Sequence, residues 1–396
     1  MPTERVLPRL RPASLRPGRC LDRRQIVYRT VQGASVSSAA AIWLGRRPKC
    51  RGSALLSLAI GGSVRENLTY CVILPAYNES RHLATVVSRV PDWVGGIIIV
   101  DDASTDDTLR VAESLTDARI RVQHHEKNQG VGGAMVTGFR AALAGGFDVA
   151  IKMDADDQMD PQELPALVRP IELGMAEYVK GNRFRRTGRP SSMPRRRWFG
   201  NVVMSFLTKV ASGYWHVFDP QCGFVAITAP TLRRLKLDGM ARDYFFENDM
   251  LIRLNVIDAR VVDVDTSSLY GDETSHLRIG RVGWTFPPRL LRGFLWRFTR
   301  RHLMNDFGLI GLLAIAGTIF TLFGTVFGIY HWILSASSGV VTTTGTVMIA
   351  VVPLILGLQM LLQALSLEVQ SSAGGSETRE YARMSYSVGT PPTNGR

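Results

Sequence analysis

Two stretches of 28 residues, Phe307–Leu334 and Val340–Leu367, contain no Asp, Glu, Lys or Arg. Each exceeds the roughly 20 apolar residues that a bilayer crossing requires. Backbone in hydrocarbon must satisfy its own hydrogen bonds, so each stretch is expected to be a helix. The five residues between them, Ser335–Gly339, allow only a tight turn. The expectation is a transmembrane hairpin over 307–368 with both ends on one side; two buried helices of a soluble core are the competing reading. Arg289, Arg292, Arg297, Arg300 and Arg301 crowd the entrance while the turn is uncharged. The positive-inside rule then places the body of the protein in the cytoplasm, anchored to the cell membrane by two spans. Over 287–306, Leu290, Leu291, Phe294, Leu295 and Phe298 line one helical face with the arginines opposite, the texture of a juxtamembrane amphipathic helix. Arg195–Leu207, with Trp198 at its boundary, has a similar texture; an ordinary half-buried helix is the alternative for both.

The formal net charge of +13 suggests a nucleic-acid partner only until it is divided along the chain. Residues 1–65 hold thirteen Lys and Arg against Glu4 and Asp22, leaving 34 basic against 32 acidic residues in the rest. The body is near neutral, so no basic footprint for DNA or RNA remains. The 1–65 segment is expected to be a disordered basic extension, with a transit peptide as the alternative. Cys20, Cys50, Cys71 and Cys222 are widely spaced, which excludes a disulfide scaffold or a cysteine zinc module and suits a reducing compartment.

From Thr69 the chain alternates. Apolar runs at Tyr70–Leu74, Gly96–Val100, Arg121–His124 and Phe147–Met153 predict strands, and Leu83–Val90, Thr108–Leu115 and Ala134–Leu143 predict helices between them. This pattern predicts an α/β fold with a doubly wound parallel sheet over 66–286. Ligands of such sheets bind beyond the carboxyl ends of the strands, so Pro75–Glu79, Asp101–Ser104 and Asp154–Gln158 should converge.

The segment MDADDQMD, Met153–Asp160, carries the most chemistry. Two carboxylates one residue apart at a strand end present hard oxygen ligands to one point, which suits Mg2+ or Mn2+ together with phosphate oxygens. An EF-hand reading fails, because Met159 and Pro165 stand where it needs Gly and Glu. A solvated acidic loop capping the next helix is the bland alternative. A metal held this way commonly grips a diphosphate and offsets charge on a leaving nucleoside diphosphate. No Walker-type phosphate loop is present. Gly130-Val131-Gly132-Gly133 resembles a dinucleotide fingerprint only loosely, and close helix–sheet packing is the expectation for it.

VILPAYNES (Val72–Ser80), VDDASTDDT (Val100–Thr108), KNQGVGGA (Lys127–Ala134), MDADDQMDP (Met153–Pro161), KGNRF (Lys180–Phe184) and DPQCGF (Asp219–Phe224) stand in the order seen in one family. Over about Tyr70–Arg281 the chain resembles the family-2 glycosyltransferases of the GT-A fold. Within them it is most similar to the polyprenyl-phosphate branch typified by dolichyl-phosphate mannose synthase. The resemblance implies that Pro75, Tyr77 and Glu79 line the nucleotide pocket, with Val100 and Asp102 near base and ribose. It implies a metal and diphosphate site at Asp154, Ala155, Asp156 and Gln158, with Asp154, Asp156 and Gln158 as metal ligands, and phosphate contacts from Arg183, Arg197 and Arg278. The branch often has Gly-Ser-Arg at Gly181-Asn182-Arg183, a Ser-Lys-x-Lys pattern at Ser275–Arg278, and Leu at Asp157. These departures bear on which sugar and nucleotide are used.

The implied reaction is inverting, metal-dependent transfer of mannose or glucose from GDP-mannose or UDP-glucose to a polyprenyl phosphate. Asp156, Arg197 and Glu247 are the residues expected to carry it. A hydroxyl acceptor requires a general base, for which Asp219 and Glu247 are the candidates, whereas a phosphate acceptor is already an anion and requires cations and a membrane surface. Transfer to a hydroxyl of a lipid-linked or cell-surface glycan is the alternative, and a non-catalytic nucleotide-sugar binder is a second. Residues 369–396 are expected to be a flexible tail. The oligomeric state is left open.

Overall fold

The computed structural model describes residues 67–183, 195–266, 279–372 and 374–387; the 1–65 extension and Arg278 lie outside the described residues. The chain from Thr69 runs β1 (Tyr70–Ala76), α1 (Leu83–Ser88), β2 (Gly96–Asp101), α2 (Thr108–Ser114), β3 (Ile120–His124), α3 (Val131–Ala144) and β4 (Val149–Lys152), as the hydrophobic pattern predicts. It continues through α4 (Leu164–Glu172), β5 (Tyr178–Asn182), α5 (Arg195–Ser212), β6 (Val225–Thr228), α6 (Ala229–Arg234), α7 (Phe246–Val256) and β7 (Val261–Asp265). The described strands form one seven-stranded sheet in the order β3-β2-β1-β4-β6-β5-β7. The sheet is mixed rather than wholly parallel. β1 through β4 pair in parallel, but β6 lies antiparallel between β4 and β5.

Strand alternation divides the core between the two faces. Val72, Leu74, Ala76, Ile97 and Ile99 pack with Leu83 and Val86 of α1 and Leu164 and Leu167 of α4. Cys71, Ile73, Ile98 and Val100 pack with Met135 and Phe139 of α3 and Met250 and Leu254 of α7. β3 is an edge strand, with half-buried Ile120 and Val122 alternating with exposed Arg121 and Gln123.

Beyond β7, α8 spans Ile279–Phe298 and a π-helical segment continues it to Asn305. α8 thus begins before the amphipathic run expected from 287, with Pro287 and Pro288 inside it. α9 (Leu309–Ser338) and α10 (Thr344–Gln370) are both long and apolar enough to cross a membrane. They pack closely as a hairpin: a Cβ at Gly317 would lie 2.9 Å from the Gly357 carbonyl oxygen, and one at Gly324 would lie 2.6 Å from that of Ala350. The turn is Gly339–Thr343, with Gly339 left-handed at φ 66°.

The expected flexible tail is in part ordered. α11 (Gly375–Ser387) packs on β7, the second sheet edge. The Asp263 amide donates to Thr378 Oγ1 at 3.4 Å, Tyr381 donates to the Ala166 carbonyl at 3.2 Å, and Ser372 donates to the Gly213 carbonyl at 3.0 Å. Covering an open strand edge accounts for the order of this otherwise polar segment. After the hairpin the chain thus returns to the sheet it left.

Candidate active site

Parallel register aligns Ala76 with Asp101 and Ile73 with Lys152, so the loops after β1, β2 and β4 meet at one edge of the sheet. Each loop contains a non-glycine residue in the left-handed region: Asn78 (φ 60°), Ala103 (φ 59°) and Asp157 (φ 58°). Such backbone is held only where surrounding bonds over-determine it. Here the bonds run between loops. Asn78 Oδ1 accepts from the Thr105 amide at 2.8 Å, and the Asn78 amide donates to Ser104 Oγ at 3.0 Å. The Glu79 amide donates to Thr108 Oγ1 at 2.8 Å. Arg89, after α1, forks to Asp157 at 2.6 Å and Asp160 at 3.0 Å. Asp106 binds Ser80 and Thr108. Slight burial opposes its ionisation, but those hydrogen bonds outweigh it and bring the carboxyl down to about 2.

Tyr77 stands exposed at the mouth, with Pro75 and Glu79 half-buried beside it. Val100 is wholly inside the core, so its side chain is not at a ligand surface and only its backbone is left to lie near base or ribose. Asp102 is buried with both oxygens engaged. Oδ1 accepts from the Gln129 amide at 2.8 Å and pairs with His125 Nδ1 at 2.7 Å, and Oδ2 accepts from the Gly130 amide at 2.7 Å. Two of these contacts, from the Gln129 and Gly130 amides, brace the glycine turn. That turn does not pack on the sheet as expected. The Gly132 and Gly133 amides donate to the Arg242 carbonyl at 2.7 and 3.2 Å, and a Cβ at Gly132 would fall 2.1 Å from the Ala241 oxygen. The α3 N-terminus is therefore capped by the chain itself, which excludes the turn as a phosphate cradle; Gly138, one turn on, is the glycine that meets the sheet at Ile73.

Asp154 and Asp156 flank Ala155, whose burial turns the chain so that both carboxylates are left half-buried at the strand end. Asp156 Oδ1 accepts from the Gln158 amide at 3.1 Å, and the Asp154 amide meets Met159 Sδ at 3.4 Å. Among the described residues no three Asp, Glu, His or Cys side chains converge as a closed metal cage. Two carboxylates and an amide side chain on an open edge fit a hard divalent cation that draws its remaining oxygens from a phosphate ligand.

Beneath this pair lies Lys152, the last residue of β4, which is 2% exposed. Its Nζ is 2.7 Å from Asp154 Oδ1 and 3.2 Å from Glu247 Oε1. Burial acts to strip its proton, but the Asp154 and Glu247 carboxylates outweigh burial and hold the ammonium above the usual lysine range. Lys180 is also buried; its Nζ donates to the Cys222 carbonyl at 2.6 Å, and burial leaves it below the usual range.

Glu247, on the first turn of α7, is buried and ion-paired with Lys152. Asp219 is also buried, and Arg183 clamps it at 2.7 and 3.2 Å. The Arg183 fork thus rests on Asp219. Arg197 lies on α5, but its side chain is outside the described residues, as is all of Arg278. Sequence reasoning missed Lys152, Arg89 and His125. A lysine at the end of the apolar run VAIK was a usable signal, because a buried ammonium requires carboxylate partners.

α5 and α8 pack together beside α7, leaving Val202, Phe206, Leu291, Leu295 and Trp296 exposed. Of the five entrance arginines, Arg289 forks to Asp243 at 2.6 and 3.0 Å. Arg297 is wholly buried, 2.5 Å from Glu368 of α10, and donates to the Ala211 carbonyl at 2.8 Å. Arg301 binds the Asn255 carbonyl at 2.8 Å and pairs with Asp258. Arg292 and Arg300 remain exposed, lining a groove with Leu291, Leu295 and Trp296.

The profile described as "Glycosyl transferase family 2" matches residues 71–235. A UDP-N-acetylglucosamine–dolichyl-phosphate N-acetylglucosaminyltransferase of Methanococcus voltae is 31% identical over 214 residues, 50% of this chain and 85% of the relative. An undecaprenyl-phosphate mannosyltransferase of Micrococcus luteus is 34% identical over 197 residues, 48% of this chain and 80% of the relative. Among solved structures, glucosyl-3-phosphoglycerate synthase from Mycobacterium tuberculosis, crystallised with Mn2+, UDP and glucosyl-3-phosphoglycerate, is 22% identical with a TM-score of 0.44 over 64% of this chain and 85% of that one. With the strand-end loops and paired aspartates in place, the relatives settle the family: the chain belongs to glycosyltransferase family 2.

Proposed function

We propose that the protein transfers a hexose, mannose or glucose foremost, from a nucleoside-diphosphate sugar to a polyprenyl phosphate at the cytoplasmic membrane face, with inversion at the anomeric carbon. The observation that carries this reading is the state of the two carboxylates available as a base. Glu247 is held by Lys152 and Asp219 by Arg183, both buried. A hydroxyl nucleophile needs a carboxylate poised to take its proton; a phosphate does not. The membrane helices and the exposed apolar face of α8 support a lipid-borne acceptor. Relatives named for transfer to dolichyl and undecaprenyl phosphate support the same acceptor class.

In this reading Asp154, Asp156 and Gln158 hold Mg2+ or Mn2+, which when bound offsets charge on the leaving diphosphate. Arg89 keeps the Asp157–Asp160 turn fixed beneath them. The nucleotide is assigned to Tyr77 and Glu79, and Arg197 of α5 is the residue assigned to the acceptor phosphate. The test is a panel of GDP-mannose, UDP-glucose and UDP-N-acetylglucosamine, each offered with a short polyprenyl phosphate and with the matching free prenol. One donor should be transferred to the phosphate and none to the prenol. Equal transfer to the prenol would overturn the phosphate acceptor.

A further inference from the structure

A buried ion pair rarely stabilises a fold more than a well-packed apolar residue would, so the lysine ending β4 calls for another reason. Its neighbours Val149, Ala150 and Ile151 are all buried, and an apolar side chain would continue that run. Instead Nζ sits 2.7 Å from Asp154 and 3.2 Å from Glu247. The chain also makes room for this contact. Gly223 crosses so close that a Cβ there would lie 2.4 Å from Lys152 Nζ and 2.5 Å from Asp154 Oδ2. Two residues remote in sequence are thus matched to one ammonium–carboxylate contact.

We propose that Lys152 is a resident counter-cation of the acidic site, a positioning residue that holds Asp154 and weakens divalent-metal binding until a diphosphate is present. This rests on the reading of Asp154 and Asp156 as the metal and diphosphate site. A metal at this pair would sit close to a fixed positive charge and compete with it for Asp154, so it binds poorly alone. A diphosphate brings negative charge that attracts both cations. Metal and diphosphate therefore bind cooperatively, and each raises the affinity of the other by the same factor. The donor would then enter with its metal rather than onto a preloaded site.

The test is Mn2+ titration of the full chain in detergent, followed by electron paramagnetic resonance, with and without UDP or GDP. Lys152→Gln keeps a neutral donor beside both carboxylates. The double variant Lys152→Met with Glu247→Gln leaves no buried orphan charge at Glu247. In the wild type the nucleoside diphosphate should tighten Mn2+ binding by about tenfold or more. In both variants nucleotide-free Mn2+ affinity should rise by about tenfold, and the cooperativity should shrink correspondingly. Loss of a merely structural lysine would lower Mn2+ affinity, so the direction of change separates the two roles. Cooperativity in the wild type that persists unchanged in the variants would sink the counter-cation role alone. A wild type that takes up no nucleoside diphosphate with Mn2+ present would overturn the transferase reading and this role together.

Discussion

Replacing Glu247 by Gln removes one of the two carboxylates on Lys152 and any capacity of this position to accept a proton. Lys152 keeps Asp154 at 2.7 Å, so no buried charge is orphaned. The loss is that of one charge-assisted hydrogen bond at 3.2 Å, about 1.5–3 kcal/mol rather than the roughly 3–5 kcal/mol of a broken buried pair. For a domain of this size that corresponds to a fall in Tm of roughly 3–12 °C. If the acceptor is a phosphate, kcat/KM should fall by less than about tenfold, since the variant moves only the support of Asp154. If Glu247 were the general base, the loss would be roughly a hundred- to ten-thousandfold. The assay is kcat/KM with a short polyprenyl phosphate at a temperature well below the variant's melt, together with donor binding. A loss above a hundredfold with donor binding and folding intact would refute the phosphate mechanism and restore Glu247 as a base.

Asp156→Ala should abolish transfer while leaving the thermal melt within a few degrees of wild type, because Asp156 is half-buried at a strand end; a chelator should have the same effect, reversed by Mg2+ or Mn2+. Glu368→Ala should cost about 2–4 kcal/mol in a denaturation measurement, because it strips the counter-charge from buried Arg297 but leaves its carbonyl partners at Ala211 and Val210. An unchanged melt would show that the junction does not bind the hairpin to the domain. His216 is brought down from 6.5 to about 4, chiefly by burial, while it bonds the Val261 carbonyl at 2.9 Å. The unfolded chain therefore binds the extra proton between those values. The contribution is fully present above pH 6.5 and falls by roughly 3 kcal/mol as the pH drops toward 4. His216→Gln should flatten that part of the melting-temperature profile.

The first half of the catalytic domain was legible because β1, β2 and β4 are buried on both faces and appear as unbroken apolar runs. β5 and β7 were not, since each carries polar residues inward: Lys180 and Asn182 in YVKGN, Asp263 in VVDVD. Their partners, Cys222 for Lys180 and Asp263 for Asn182, are 42 and 81 residues away, so no local window contains the reason for their burial. β6 is apolar but only four residues long, and its antiparallel direction follows from neighbours contributed by both sides of the chain. The acidic pair was legible as chemistry, but the lysine that governs it was hidden inside an apparently apolar strand.

The arginines before the hairpin misled for a related reason. A helical wheel places them on one polar face, and the simplest reading of such a face is contact with water or lipid headgroups. Arg297 and Arg301 are four residues apart and point the same way, but toward protein. They reach the last carbonyls of α5, at Val210 and Ala211, and that of Asn255 near the end of α7. Helix C-termini expose unpaired carbonyls and partial negative charge, so they draw cations as a membrane surface does. From the sequence of α8 alone the two destinations look the same. The structure separates them: Arg292 and Arg300 remain outward, while Arg297 links α5, α7, α8 and, through Glu368, the end of α10. With Arg289 on Asp243, Arg297 on Glu368 and Arg301 on Asp258, two of the five arginines are left exposed to reach a headgroup, and the hairpin is joined to the catalytic domain by a buried ion pair as well as by the chain.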